Sequence, residues 1–183
     1  MNRIALIGGP GTGKSTLAAR LYSELKELGK NTELVQEYAR EHLNRHGITT
    51  DVLNQYMFYE RQRDKEDIIP EQVEYIITDS PTILSYIYAL LYANIKNVNH
   101  QELLIDMYSK IIRDGLNRYS HIYYLAPTRE YKLDGTRTQT EKESNSIGNN
   151  IQKFLDMHKI KYKTLNMSAT HDRTVQIIKD LKI

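Results

Sequence analysis

Apolar residues along this chain fall into short clusters separated by longer stretches in which they recur every three to four positions. Ile4–Ile7, Thr32–Gln36, Tyr75–Thr78, His121–Leu125 and Lys161–Leu165 are four or five residues long and mostly rich in β-branched or aromatic side chains, which suit a buried pleated surface. They predict five strands. Helices are expected over Ser15–Leu28, over Tyr38 to Ile69 as two helices broken near Gly47, and over Thr82–Tyr92, Gln101–Tyr119, Glu141–His158 and Asp172–Leu181. Alternation of strand and helix predicts an α/β fold, a five-stranded mostly parallel sheet with helices on both faces. Thr140-Glu-Lys-Glu143 has the form of a capping box, after which Ile147, Ile151 and Leu155 fall on one helical face.

Composition narrows the class. A length of 183 residues predicts a single domain over 1–183, and 40% hydrophobic with 26% charged residues fits a soluble globular chain. No stretch approaches the ~18 apolar residues of a membrane span. With no cysteine, disulfides, thiolate catalysis and Cys-ligated metals are excluded. Arg3–Ile7 runs straight into glycines without a secretory leader pattern, so a cytoplasmic location is expected. The formal charge is +2, but residues 120–183 hold 11 Lys+Arg against 7 Asp+Glu, a positive excess that suits phosphates. There is no repeat or linker, and the four prolines stand singly. The 14 tyrosines form no RNA-stacking signature, although Tyr38, Tyr86 and Tyr131 lie near the motif-bearing edge and could stack on a nucleobase. Association with a second copy stays open.

The strongest motif is Gly8-Gly9-Pro10-Gly11-Thr12-Gly13-Lys14-Ser15, which matches G-x-x-x-x-G-K-[ST] between a predicted strand and a predicted helix. Glycines let successive backbone N–H groups approach phosphate oxygens, and the following helix presents its positive end. Gly8 through Thr16 are therefore assigned to a nucleoside triphosphate, with Lys14 reaching the β/γ-phosphates and the Ser15 hydroxyl on Mg²⁺. The bland alternative is a glycine-rich turn with an incidental lysine.

Two acids are expected at the carboxyl edge of the sheet. Asp79 ends the Tyr75–Thr78 run and could hold the Mg²⁺ shell, or merely cap the next helix. Glu37 follows the second strand, with Arg40 one turn on. Glu37 could take a proton from an acceptor hydroxyl and Arg40 could meet an acceptor phosphate, or the two could form an ordinary surface ion pair. The polar stretch 126–140 is read as a lid, with Arg129 and Arg137 brought to the transferred group and Asp134-Gly135 as a turn; a solvated loop is the alternative. Leu53–Asp67 is read as a helix whose second half is charged all round, although its aromatics with Arg61 and Arg63 could line an acceptor pocket. His42 and His46 form a helical pair without further ligands, read as surface.

Taken in order, Gly8–Ser15, Glu37-Tyr38-Ala39-Arg40, Asp79-Ser80-Pro81 and Asp134-Gly135-Thr136-Arg137 resemble the P-loop kinase family that includes the ribosylnicotinamide kinase domain of the bacterial NAD-biosynthesis regulator. The resemblance covers most of the chain. Continuation of the lid as Thr138-Gln139-Thr140-Glu141 is similar to small phage-type members. The resemblance implies a P-loop kinase fold and an ATP- and Mg²⁺-dependent transfer of the γ-phosphate to a hydroxyl of a nucleoside- or nucleotide-type acceptor, ribosylnicotinamide being the nearest named one. Lys14, Glu37, Asp79, Arg129 and Arg137 would carry catalysis; Glu37, Tyr38, Arg40 and Tyr86 would hold the acceptor. Two alternatives remain: a kinase of hydroxymethylated pyrimidines in phage DNA, with DNA as acceptor, and an NTP-dependent ATPase or switch.

Overall fold

Strand β1 (Asn2–Ile7) is apolar on both sides of its pleat and lies at the centre of a sheet ordered β2-β3-β1-β4-β5, where β2 is Thr32–Val35, β3 Tyr75–Asp79, β4 His121–Leu125 and β5 Lys163–Leu165. The computed structural model describes residues 1–48, 51–115, 118–128, 130–132 and 139–183. Every strand pair is parallel. All five expected strands form, although the last begins at Lys163 rather than Lys161.

Among the described residues seven helices connect and follow the strands: α1 (Lys14–Glu27), α2 (Tyr38–His46), α3 (Val52–Asp67), α4 (Ile83–Tyr92), α5 (Val98–Gly115), α6 (Glu141–Met157) and α7 (Thr170–Leu181). The period-2 pleat of β1 divides the core. Ile4 and Leu6 pack with Leu17, Leu21 and Leu25 of α1 and Ile177 of α7 on one face. Ala5 and Ile7 face the other way, into a cluster that includes Tyr59, Ile87, Ile111 and Ile151 from α3, α4, α5 and α6. Helix α5 starts three residues before the expected Gln101, and α7 two residues before Asp172. The capping box at α6 is complete: Glu143 N donates to Thr140 Oγ1 (3.3 Å) and Thr140 N donates to Glu143 Oε2 (2.7 Å). No helix among the described residues is long and apolar enough to cross a membrane.

Helix α3 corrects one expectation. Its second half is not charged all round, because Gln62 and Glu66 are buried with Gln55 along its inner stripe while Arg61–Asp64 and Arg63–Asp67 pair on the outer side. Glu66 accepts from Arg118 Nε (2.7 Å) and Tyr119 OH (2.9 Å), and the Tyr119 oxygen in turn accepts from the Thr82 N–H (3.1 Å). Burial pushes the Glu66 carboxyl up, and the Arg118 guanidinium pulls it back. These contacts tie α3 to the segment entering β4 and to the start of α4.

The register sets the position of the site. Leu6 pairs with Asp79 and Val35 with Thr78, so β1, β2 and β3 end together at one edge of the sheet. The residues that follow these strands, 8–13, Glu37 and Ser80, therefore converge beside the reversal of strand order at β1, where open parallel sheets form ligand crevices.

Candidate active site

The loop leaving β1 is shaped by what its glycines allow. Gly13 precedes α1 in the left-handed conformation (φ 90°), which a side chain would strain and which lets α1 begin with exposed N–H groups. Gly9 has a different reason: a Cβ there would lie 2.5 Å from the Ser144 carbonyl oxygen of α6. Outward-facing carbonyls are tied down from outside the loop. Ser144 Oγ donates to Pro10 O (2.6 Å), Arg173 Nη1 donates to Thr12 O (2.7 Å), and Thr12 Oγ1 closes the loop on Gly9 O (2.9 Å). Lys14 Nζ folds over it, donating to Gly8 O (3.0 Å) and Gly9 O (3.1 Å).

This loop borders a cleft of about 410 Å³. Pro10, Gly11, Gly13, Lys14, Ser15 and Thr16 line one side, and Glu37, Arg40 and Ser80 line the sheet edge. Gly8 does not line it, and Gly9 and Thr12 border a separate cavity toward α6. Residues 10, 11 and 13–16 face the cleft.

Glu37 stands at the start of α2, half-buried, with Arg40 Nε 3.7 Å from its Oε2. Burial pushes its carboxyl above the ordinary glutamate range; Asp79 adds to the rise, and Lys14 and Arg40 oppose it. Asp79 precedes the cleft-lining Ser80 without lining the cleft itself; it is 4% exposed, and its Oδ1 has no hydrogen-bond partner among the described residues. Next to it Ser80 adopts φ 67°, a left-handed conformation that costs a non-glycine residue ~1–3 kcal/mol, and its hydroxyl acts on the Glu37 carboxyl, opposing the rise. Ser15 and Asp79 supply hard oxygen donors, and an orphaned carboxylate oxygen suits a divalent cation that takes its remaining ligands from phosphates and water.

The far wall of the cleft departs from the sequence expectation. Tyr86 is buried against Tyr108 and Phe154 and points away, while Tyr88 and Tyr92 of the same helix line the cleft. Tyr38 does not line it either: its ring packs on His42 and Phe58, and its N–H donates to Gln62 Oε1 (2.8 Å). From α3 the cleft receives Gln55, Phe58 and Gln62 rather than Arg61 or Arg63. The His42 and His46 rings lie 4.5 Å apart, tilted by 39°, and among the described residues no three His, Asp or Glu side chains are grouped to hold a metal by themselves.

Of the expected lid, Glu130, Lys132 and Gln139 line the cleft, and Tyr131 OH closes the loop base on Gln139 O. Arg129, Arg137 and the Asp134-Gly135 turn lie outside the described residues. Arg173 was not anticipated. It is 1% exposed and joins the P-loop to the root of the lid through Ala126 O (3.1 Å) and Thr128 Oγ1 (2.8 Å).

Residues 3–173 match the AAA_28 family, described as an AAA domain. The chain belongs to the AAA_28 family. No curated protein matches it in sequence. Among solved structures, this AAA_28 chain is similar to the NadR protein in complex with NR, with a TM-score of 0.80 at 21% identity, over 100% of this chain and 52% of that one. It thus spans about half the length of the NadR chains it matches. Deoxyadenosine kinase from M. mycoides with bound dATP superposes with a TM-score of 0.62 at 17% identity, covering 100% of both chains. Thymidylate kinase from Candida albicans gives 0.70 at 17%, over 99% and 92%. The AAA_28 chain therefore has the P-loop kinase fold.

Proposed function

We propose that this protein is a phosphotransferase that moves the γ-phosphate of ATP to a hydroxyl of a nucleoside- or nucleotide-type acceptor. The observation that carries the reading is one cleft lined by both the Lys14–Ser15 cradle and Glu37, an acid that burial renders more basic than usual. NadR in complex with NR, and with NAD and AMP-PNP, shares this fold, which makes ribosylnicotinamide the first acceptor to try.

The loop Gly8–Thr16 holds the triphosphate, with residues 10, 11 and 13–16 on the cleft side and Lys14 as the point charge on its β/γ end. Glu37 accepts the proton of the attacking hydroxyl, and Arg40 compensates charge beside it. Ser15 and Asp79 would hold Mg²⁺, which when bound draws negative charge from the phosphates. Arg129 and Arg137 belong to the stretch whose described ends border the cleft, and bring further positive charge to the transferred group while excluding water.

The test is incubation with γ-labelled ATP and a panel of nucleosides, nucleotides, ribosylnicotinamide and DNA containing hydroxymethylated pyrimidines. Label on a free nucleoside or nucleotide supports the proposal. Label confined to DNA moves it to the base-kinase reading, and label released only as inorganic phosphate replaces it with an ATPase or switch.

A further inference from the structure

We infer that Gln62 selects the acceptor, by offering its amide N–H to a carbonyl oxygen on the acceptor's heterocycle. The inference rests on the nucleoside-type acceptor proposed above. Gln62 lines the cleft from α3 and is 3% exposed. Its Oε1 accepts the Tyr38 N–H at 2.8 Å, and because a backbone N–H can only donate, this contact fixes which way the amide points. One lone pair of the carbonyl is thereby taken by the protein. Nε2 is the polar atom of this side chain with nothing to bond, buried and without a hydrogen-bond partner among the described residues. Buried orphan donors are costly and rare in folded proteins, so one beside a ligand cleft marks a contact reserved for the ligand.

The surroundings indicate what brings the acceptor oxygen. Phe58, one turn before Gln62 on α3, shares the cleft with Leu43 and Ile48 on its own side and with Tyr88 and Tyr92 of α4. Aromatic and aliphatic surfaces of this kind accept the faces of a planar ring. A ring carbonyl meeting Nε2 satisfies both partners, whereas a ring amino group would set N–H against N–H and leave both unmatched. A site built around one hydrogen bond rejects the analogue that cannot make it far more strongly than a hydrophobic pocket rejects a lost methylene.

The experiment compares kcat/KM for matched acceptors: inosine with adenosine, uridine with cytidine, and ribosylnicotinamide with ribosylpyridine lacking the carboxamide, each also as its 2′-deoxy form. In the ring class the cleft takes, the member with a carbonyl where its counterpart has an amino group or none (C6 of inosine, C4 of uridine, the carboxamide of ribosylnicotinamide) should be favoured by at least ~10-fold in the parent protein, and loss of the 2′-hydroxyl should leave that ratio unchanged. Gln62→Met and Gln62→Asn should bring the ratio close to one while Mg·ATP affinity holds. If neither variant folds, the ratio in the parent decides. Equal use of both members, preference for the amino member, a ratio that survives in a folded Gln62→Met protein, or one that follows the 2′-hydroxyl would overturn the inference and leave the kinase reading intact. Absence of transfer to every acceptor would remove the proposed function and this inference with it.

Discussion

Two acids, Glu37 and Glu66, are both pushed above the ordinary glutamate range by burial, and their surroundings differ completely. Both Glu66 oxygens are engaged, one by Arg118 and one by Tyr119, and no side chain of that group appears among the orphaned polar atoms. Around Glu37 two neighbours are unmatched: Asp79 Oδ1 and Gln62 Nε2 are buried without partners among the described residues. A polar cluster that serves only the fold can satisfy itself completely. One that must receive a ligand keeps groups in reserve at a cost in stability.

Glu37→Gln tests the contrast hardest. It keeps the shape and removes the proton acceptor, so transfer should fall by about 10²–10⁴-fold with Mg·ATP affinity nearly unchanged. Its stability should move the opposite way. A raised native pKa means that ionising Glu37 works against the folded state as pH climbs beyond the ordinary glutamate range; below that range the group is protonated in both states. Thermal melts should therefore show the variant more stable than the parent at neutral pH, with the difference vanishing in acid. A variant equally active on its true acceptor would take Glu37 out of the chemistry.

Glu66→Ala probes the other side of the comparison. Removing one partner leaves Arg118 and Tyr119 uncompensated, and breaking a buried pair in this way costs about 3–5 kcal/mol. For a chain of this size the melting temperature should fall by roughly 6–20 °C. The acceptor KM of protein that remains folded should stay close to that of the parent; a large rise would join the two regions. Lys14→Ala should lower kcat by about 10²–10³-fold, the usual cost of losing one donor aimed at developing charge, and should weaken ATP binding measured by calorimetry while leaving the melt unchanged. Thr140→Ala, which opens the capping box after the lid, should cost only ~1 kcal/mol. A melting shift beyond about 2–4 °C would show that α6 depends on more than its cap.

How far the sequence carried the reading follows from which physical signals it encodes. Strand and helix positions, the P-loop and the edge placement of Glu37 and Asp79 were legible, because apolar periodicity and strand ends place them directly. The orientation of α4 was not. Ile83–Tyr92 is apolar nearly all round, so no polar face distinguishes Tyr86 from Tyr88, and packing on Phe154 and Tyr108 decides. Helix α3 failed for the opposite reason: its buried stripe carries Gln55, Gln62 and Glu66, which an apolar pattern cannot register. Ser144 carried a faint signal, as it stands one turn from Gly148 on the apolar face of α6, where two small residues imply close approach. Arg173 carried none. Beyond the nearby Met167 carbonyl, its partners are two backbone carbonyls and a hydroxyl from segments distant in sequence.

The contact between Gly9 and α6 ties one position of the loop to the path of a helix far away in the chain. Any side chain at position 9 would drive into the Ser144 carbonyl oxygen, a backbone atom that every residue at 144 carries. Ser144, itself 3% exposed, is held by its bond to Pro10. A library that varies positions 9 and 144 together would therefore still return glycine at 9, and a descendant could escape it only through changes that retract α6.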